Sequence, residues 1–244
     1  MSERNDSGAT GSAKVPVVAV DGPSGVGKGT VCARLADYTG FHLLDSGALY
    51  RLVALASERT GIDSNDAAAL AQVAQALPVS FETGAGDEPV IVRLNGEDVG
   101  KAIRSESCGS RASQVAAHPA VRDALLDLQH GFRRAPGLIA DGRDMGTVVF
   151  PDAGLKIFLD ASAQVRAERR HKQLMGKGIG VSLAALFDEI AERDKRDRNR
   201  AVAPLRAAPD AVQIDTSALS IDAVMEAVLA ALRDAGITGT KGSA

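Results

Sequence analysis

The chain has 244 residues, 45% of them hydrophobic, which is enough to bury the core of one large α/β domain or of a core with a smaller lobe. The formal net charge of −3 and the aromatic content of 3%, without tryptophan, argue against a nucleic-acid-binding protein. Such a protein would need a strong positive charge or a surface for stacking bases.

The cysteines and the two ends of the chain indicate a cytoplasmic protein. Cys32 and Cys108 are far apart and match no metal-ligand spacing, which favours buried thiols in a reducing compartment. Residues 1–14 and 238–244 are predicted to be disordered tails, and the first of them lacks the apolar segment of a signal peptide. No apolar run approaches the ~20 residues that cross a membrane, so no membrane association is expected.

Short apolar runs alternate with helical patterns along the chain. The runs predict buried parallel strands at Val15–Val20, Phe41–Leu44, Leu138–Ala140, Lys156–Leu159 and Ala211–Ile214. The helical patterns cover Ala48–Ser57, Ala163–Leu174, Leu183–Arg198 and Ile221–Ala235. This alternation predicts an α/β fold with a doubly wound parallel sheet covered on both faces, whose ligands bind at the carboxyl ends of the strands.

A long interval between the second and third predicted strands holds an insertion. The tight-turn pair Asn95-Gly96 separates short strand patterns, which predicts a small antiparallel meander. Its strands are predicted at Val79–Glu82, Pro89–Leu94 and Glu97–Val99, and helices at about Ser105–Ala116 and Pro119–Arg134 follow.

A glycine-rich turn joins the first strand to a helical pattern and ends in Gly-Lys. Its residues are Gly22, Pro23, Ser24, Gly25, Val26, Gly27, Lys28, Gly29 and Thr30. Strand, glycine-rich turn and helix together are typical of a P-loop, in which converging backbone N–H groups and a lysine bind phosphates. The alternative is an ordinary glycine turn.

This loop departs from the general P-loop at one position. Ser or Thr usually follows the lysine and binds Mg²⁺ through its hydroxyl, but here that residue is Gly29. Either Thr30 takes over, or Mg²⁺ is held mainly by phosphate and water oxygens. Asp141 follows the apolar run Leu138–Ala140 and occupies a place where a carboxylate can help to order the metal, although it also fits an Asp/Gly turn.

Charged residues interrupt the apolar stripe of the helix at Leu183–Arg198. Leu183, Leu186, Phe187 and Ile190 share one face, and the same face continues through Arg193, Asp197 and Arg200. Either this end of the helix frays into solvent with an ion pair between Arg193 and Asp197, or it faces a polar cavity that holds an anion.

The segment 166–200 is strongly cationic, with ten of the 28 Lys and Arg residues of the chain. Glycines at 176, 178 and 180 follow its first arginines, so residues 166–180 form a candidate lid over phosphates. Phosphoryl transfer to another phosphate needs cations more than a general base, since the acceptor oxygen is already ionised. Because the chain offers many cations and no obvious base, a nucleotide kinase is favoured over a kinase of sugars or other alcohols.

Several motifs of the chain match those of a known family. The chain resembles the bacterial cytidylate kinases, members of the nucleoside monophosphate kinase family, over about residues 15–235. The matching segments are Val20 to Thr30, Leu43 to Arg51, Ala112 to Ala116, Ile139 to Phe150, Glu192 to Asp194 and Asp197 to Pro204.

The resemblance implies a P-loop fold of three parts and a reaction. A core at 15–47, 135–165 and 181–237 carries a five-stranded parallel sheet, a nucleoside monophosphate lobe at 48–134 contains the insert at about 79–100, and a short lid lies at 166–180. The reaction is the in-line transfer of a phosphoryl group from ATP, with Mg²⁺, to CMP or dCMP, by an enzyme expected to be a monomer.

The resemblance also implies roles for individual residues. Those expected to bind the acceptor nucleotide are Ser46, Tyr50, Arg51, Ser113, Arg122, Asp141, Arg143, Asp144, Arg193, Asp197 and Arg200. Of these, Ser113, Arg122 and Asp144 surround the cytosine. Arg193 and Asp197 meet the sugar, with Ser46 and Tyr50 nearby, and Arg51, Arg143 and Arg200 hold the phosphate. Arg166 binds ATP with the loop, and the expected catalytic cations are Lys28, Arg143, Arg193, Arg200, Arg169 and Arg170.

Two other functions remain open from the sequence. One is a P-loop kinase with an alcohol acceptor, which a substrate panel distinguishes. The other is a non-catalytic, GTPase-type nucleotide switch, which would need an Asn-Lys-x-Asp motif that does not occur in the chain.

Overall fold

The computed structural model describes residues 14–83, 90–176 and 178–238, and most of its strands belong to one parallel sheet. The strands are β1 (Val17–Asp21), β2 (His42–Asp45), β3 (Val79–Thr83), β4 (Val90–Leu94), β5 (Glu97–Asp98), β6 (Leu138–Gly142), β7 (Leu155–Asp160) and β8 (Val212–Asp215). The main sheet has the order β2-β6-β1-β7-β8, and all its pairings are parallel. The predicted five-stranded α/β architecture is confirmed.

The central strand explains why the sheet is buried on both faces. Val17, Val18, Ala19 and Val20 are all fully buried, because successive side chains of the strand pack against the helices on opposite faces of the sheet. In this register Asp21 lies beside Gly142, the last residue of β6. The carboxyl ends of β1, β2 and β6 therefore lie together at one rim of the sheet.

The helices cover the sheet and build a lobe beside it. They are α1 (Lys28–Thr39), α2 (Ser46–Arg59), α3 (Ala67–Gln75), α4 (Gly100–Ile103), α5 (Glu106–Val115), α6 (Pro119–His130), α7 (Ala163–Met175), α8 (Leu183–Arg198) and α9 (Ile221–Asp234). One core cluster joins β1 with α1 and α9, and a second runs from the sheet into the lobe of α2, α3, α5 and α6. None of the helices in the described residues is long and apolar enough to cross a membrane.

The predicted antiparallel meander is confirmed as the sheet β3-β4-β5. Asn95 and Gly96 both have positive φ, 52° and 81°, and form the tight turn between β4 and β5. Pro89, the predicted first residue of the middle strand, lies outside the described residues. The helices α3 and α4, which belong to the lobe around this small sheet, were not predicted from the sequence.

Some boundaries differ from the prediction. The helix expected at Pro119–Arg134 ends at His130, and α7 extends to Met175, so most of the candidate lid at 166–180 is helical. Gly178 has a φ of 73°, a left-handed conformation that favours glycine, whereas residue 177 lies outside the described part of the chain. The predicted tails fall outside it as well, except for Lys14 and Thr238.

Candidate active site

The turn between β1 and α1 has the geometry of a phosphate-binding loop. Gly22 has a φ of 149°, and a Cβ atom placed there would lie 2.1 Å from the carbonyl oxygen of Leu159, so no other residue fits. Gly27, at φ 94°, immediately precedes α1. The free N–H groups at the start of α1 therefore face the cavity at the rim of the sheet and favour an anion there.

Lys28 lies under this loop, with its side chain only 6% exposed. Its Nζ donates to the carbonyl oxygen of Pro23 at 3.0 Å and lies 3.8 Å from Oδ1 of Asp141. Burial and the nearby Arg143 lower the pKa of Lys28, although the charge of Asp141 acts in the opposite direction. Burial likewise raises the pKa of Asp141, although the charge of Lys28 acts to lower it. A phosphate bound beside Lys28 would favour its charged form.

A cavity of about 340 Å³ lies between the loop and the helices α2, α5, α6 and α8. Every residue predicted to bind the acceptor nucleotide lines it. These residues are Ser46, Tyr50, Arg51, Ser113, Arg122, Asp141, Arg143, Asp144, Arg193, Asp197 and Arg200. Lys28, Gly29 and Thr30 line it as well, so the structure brings together segments that are far apart in the sequence.

Asp197 is at the centre of a group of arginines in this cavity. It is 4% exposed and accepts hydrogen bonds from Nε of Arg143 at 3.0 Å and from the Ser113 hydroxyl at 3.3 Å. Burial alone would raise its pKa, but Arg143, Arg193 and Arg200 outweigh burial and hold the pKa below its usual value. The charged end of α8 thus faces a cavity, and the alternative of a helix end frayed into solvent is wrong.

Two of these arginines carry donors that no described residue accepts. Nε of Arg193 and Nη2 of Arg200 are buried and have no hydrogen-bond partner within residues 14–83, 90–176 and 178–238. Burial lowers the pKa of both guanidinium groups, that of Arg193 to about 10. Because an unpaired buried donor is costly, the arrangement favours an anion between them.

The far end of the cavity holds a buried ion pair between Arg122 and Asp144. The guanidinium carbon of Arg122 also lies 5.5 Å from the centre of the Tyr50 ring. Burial raises the pKa of Tyr50 to about 12, so its hydroxyl stays neutral. Tyr50 therefore supports Arg122 from one side, while Asp144 orients it from the other.

Ser46 and Arg51 make contacts within the protein at the lobe side of the cavity. The Ser46 hydroxyl donates to the carbonyl oxygen of Asp141 at 2.8 Å, and Asp45 caps α2 by accepting from the N–H of Ala48 at 3.0 Å. Arg51 donates through Nη1 to the carbonyl oxygen of Ile103 at 2.6 Å. Asp45 is therefore the N-cap residue of α2, and Ser46 is the first residue of that helix.

A larger cavity of about 900 Å³ extends from the loop toward α7 and contains the predicted lid arginines. Arg166 is 1% exposed, forms a two-point ion pair with Asp194 and donates to the carbonyl oxygen of Ser24 at 3.0 Å. Arg169 bonds to Thr216. Arg170 pairs with Glu106 of the lobe. Each of these arginines already has a partner within the protein.

Several residues at this site were missed in the sequence analysis. Asp194 and Glu106 hold lid arginines, and Asp21 holds the backbone next to Asp144. Asp21 carried a usable signal, because a charged residue at the end of a fully buried strand requires a partner. Glu106 carried none, since its partner comes from a segment that no local pattern links to it.

The family model and the curated relatives that match this chain name the same family. The family model described as cytidylate kinase matches residues 18–234. A cytidylate kinase of Pseudomonas syringae pv. tomato is 58% identical over 223 residues, which cover 91% of this chain and 97% of that protein. One of Aeromonas salmonicida is 57% identical over 215 residues, which cover 88% and 93%. Among solved structures, a gluconokinase from Sinorhizobium meliloti 1021 covers 90% of this chain and 92% of its own at 15% identity, with a TM-score of only 0.45.

Proposed function

The chain belongs to the cytidylate kinase family, and on that premise we propose roles for the residues of the cleft in this reaction. The enzyme phosphorylates CMP and dCMP with ATP. One observation carries the assignment of the acceptor side: Arg193 and Arg200 each have a buried donor that no described residue accepts, in a cavity that the P-loop also lines. The alternatives, an alcohol kinase and a nucleotide switch, are not favoured.

The P-loop and Lys28 hold the donor triphosphate. Backbone N–H groups at the start of α1 contact the phosphate oxygens, and Lys28 leaves the carbonyl oxygen of Pro23 to bind the transferred group. Arg51, Arg143 and Arg200 bind the phosphate of CMP. This phosphate is the nucleophile and is already ionised, so the reaction needs no general base.

The cations of the cleft lower the barrier because charge spreads over the transferred phosphoryl group and both bridging oxygens. Arg143, Arg193 and Arg200 approach from the acceptor side, and Lys28 approaches from the donor side. Arg169 and Arg170 complete the cluster from α7, after exchanging their partners within the protein for the triphosphate. Arg166, held by Asp194, supports the P-loop through the carbonyl oxygen of Ser24.

The residues beside the P-loop also fit Mg²⁺. The carboxylate of Asp141 lies at the loop, with Oδ2 4.0 Å from where a Cβ of Gly29 would be, and Thr30 lines the same cavity. A single carboxylate with phosphate and water oxygens is a usual set of Mg²⁺ ligands in kinases. When bound, Mg²⁺ neutralises phosphate charge; Asp141 and Thr30 are the residues that would hold it, directly or through water.

The inner end of the cavity selects the base. Cytosine presents an exocyclic amino donor next to a ring nitrogen acceptor, and uracil presents a carbonyl and an N–H instead. Asp144 and Ser113 accept from the amino group, and Arg122 donates to the ring acceptor. Uracil would place its carbonyl against a carboxylate in a desolvated site, which is costly. Asp197 and Arg193 contact the sugar.

A panel of acceptors tests this proposal. ADP release is measured with CMP, dCMP, UMP, AMP and GMP, and with gluconate and shikimate as alcohol acceptors. CMP and dCMP are expected to give the highest kcat/KM. Phosphorylation of an alcohol without phosphorylation of CMP would overturn the assignment.

We also propose that the enzyme is a cytoplasmic monomer. Cys32 and Cys108 are both free and buried, which fits a reducing compartment. Size-exclusion chromatography with light scattering measures the oligomeric state directly.

A further inference from the structure

Asp21 ends the central strand β1 with a carboxylate that is only 4% exposed. One of its oxygens accepts the N–H of Met145 and the other accepts the N–H of Gly146, both at 2.8 Å. These are the first two N–H groups of the wide helical turn Met145–Val149. A side chain from one strand thus satisfies backbone donors that helical geometry leaves free at the start of a turn.

The residue just before this turn is Asp144. An aspartate in that position usually turns its carboxylate back onto the N–H groups of the helix that follows. Asp144 makes no such bond among the described residues. Its carboxylate instead pairs with Arg122 and lines the smaller cavity. Asp21 therefore supplies the capping that Asp144 does not supply to its own turn.

We propose that Asp21 is a positioning residue for base recognition: by capping the turn Met145–Val149 from β1, it leaves the carboxylate of Asp144 free for Arg122 and for the amino group of cytosine. This inference rests on the proposed function of the cleft. Without Asp21 these two N–H groups would lack an acceptor, and Asp144, which directly precedes them, carries a carboxylate in the position that usually caps a helical turn.

The surroundings of Asp21 support a role beyond packing. Its neighbours Val17 to Val20 in the strand are apolar, whereas burial of a carboxylate is costly. Burial raises the pKa of Asp21 to about 7, although the amides of Gly146 and Met145 act in the opposite direction. An apolar residue would suit the core better, so the carboxylate serves the turn.

The test compares Asp21→Asn with Asp144→Asn, the double variant, and the control Asp234→Asn at an exposed position of α9. Asparagine keeps the shape of the side chain but offers one acceptor oxygen instead of two. In a crystal structure of Asp21→Asn, the Asp144 carboxylate is expected to leave Arg122 and accept an N–H of its own turn.

The kinetic expectation is specific to the base. In Asp21→Asn, kcat/KM for CMP should fall about tenfold, the lower end for a lost hydrogen bond to a charged group. The kcat/KM for UMP should fall less. The KM for ATP should change by no more than about twofold, which is smaller than the effect of losing a typical hydrogen bond to ATP. The CMP/UMP ratio of kcat/KM in the double variant should be at least as high as in Asp144→Asn alone. The reason is that both changes act through one carboxylate, so their effects do not add.

Two results would overturn the proposal: Asp144 still paired with Arg122 in the Asp21→Asn structure, or an unchanged CMP/UMP ratio with only a lower melting temperature. If the wild-type enzyme does not phosphorylate CMP, the proposed function fails, and the crystal structure still decides the role of Asp21. If Asp21→Asn does not fold, Asp21→Ser, which keeps one short acceptor, is measured with the same expectations.

Discussion

The proposed donor and acceptor walls of the cleft would bind anions by different means. The donor wall consists of a short continuous segment, Gly22 to Thr30, in which backbone N–H groups and one lysine converge. The acceptor wall consists of side chains from α2, α5, α6, β6 and α8 and from the residues that directly follow β6 and α8, and it contains several buried charges. Both walls meet at the contact between Lys28 and Asp141.

This difference determines what each wall can tolerate. The donor wall relies on backbone geometry, and its strictest requirement is steric, as at Gly22. The acceptor wall relies on the mutual neutralisation of Arg143, Asp197, Arg122 and Asp144, so removing one member leaves a buried charge without its partner. Substitutions in the two walls should therefore affect different ligands, and the predictions below test that separation.

The largest effect is expected at Lys28. Lys28→Ala should lower kcat by about 10²–10³, the usual result of removing a cation that stabilises transition-state charge in a dry site. CMP affinity, measured by titration calorimetry, should change little, because the acceptor wall is intact. Circular dichroism serves as the folding control. The role of Lys28 would be contradicted by a folded variant whose kcat falls less than about tenfold, because removing one such donor usually has a much larger effect.

The next effect concerns the acceptor phosphate. Arg200→Ala should lower kcat/KM for CMP by about 10- to 100-fold, as for a lost hydrogen bond to a charged group, while ATP binding stays nearly unchanged. Arg200→Lys should restore only part of the activity, because an ammonium group cannot make a planar two-point contact. Arg198→Ala is the matched control, since Arg198 is half-exposed and its nearest carboxylate, Asp160, is 3.7 Å away.

Calorimetry with each ligand separately decides between the walls. If Arg200→Ala weakened ATP and CMP equally, the two walls would not be independent. The same comparison applies to Arg143→Ala and Arg51→Ala, although Arg51 also holds the carbonyl oxygen of Ile103 and its loss should lower stability as well.

The sequence revealed the two walls to different degrees. The donor wall was predictable because its strand, glycines and lysine are contiguous, and because a buried apolar run before them indicates the central strand. The end of α8 was predictable in part, since Arg193 and Asp197 interrupt an apolar stripe. Phe187 in that stripe is nevertheless 37% exposed, so the stripe overstated the buried face.

The remaining contacts of the acceptor wall depended on tertiary structure or on family resemblance. Nothing local links Arg122 to Asp144, or Glu106 to Arg170, because each pair joins elements that meet only in the folded chain. The turn Met145–Val149 also had no sequence signal, since its start is capped by a residue from another strand.

A smaller effect, on specificity, should distinguish members within the acceptor wall. Asp144→Asn and Arg122→Met should each lower kcat/KM for CMP by an amount equivalent to ~1.5–3 kcal/mol of lost binding in the transition state. The kcat/KM for UMP should fall less, so that the CMP/UMP ratio decreases. Because the two side chains form one ion pair, the double variant should lose little more than either single variant. Competition assays with both nucleotides measure the ratio, and additive losses would show that each residue reads the base separately.

The smallest effect should come from the contact that crosses the cleft. Arg170 of α7 pairs with Glu106 of the lobe, and both side chains are partly exposed. If the triphosphate competes with Glu106 for Arg170, Glu106→Gln should lower the KM for ATP by about two- to fivefold, the range set by an exposed ion pair. Glu226→Gln, at an exposed position on α9, controls for the loss of one negative charge.

An unchanged KM for ATP in Glu106→Gln, with kcat also unchanged, would mean that Arg170 does not bind the triphosphate. A raised KM would mean instead that Glu106 holds Arg170 in its working position, so the sign of the change shows whether this ion pair opposes or assists ATP binding.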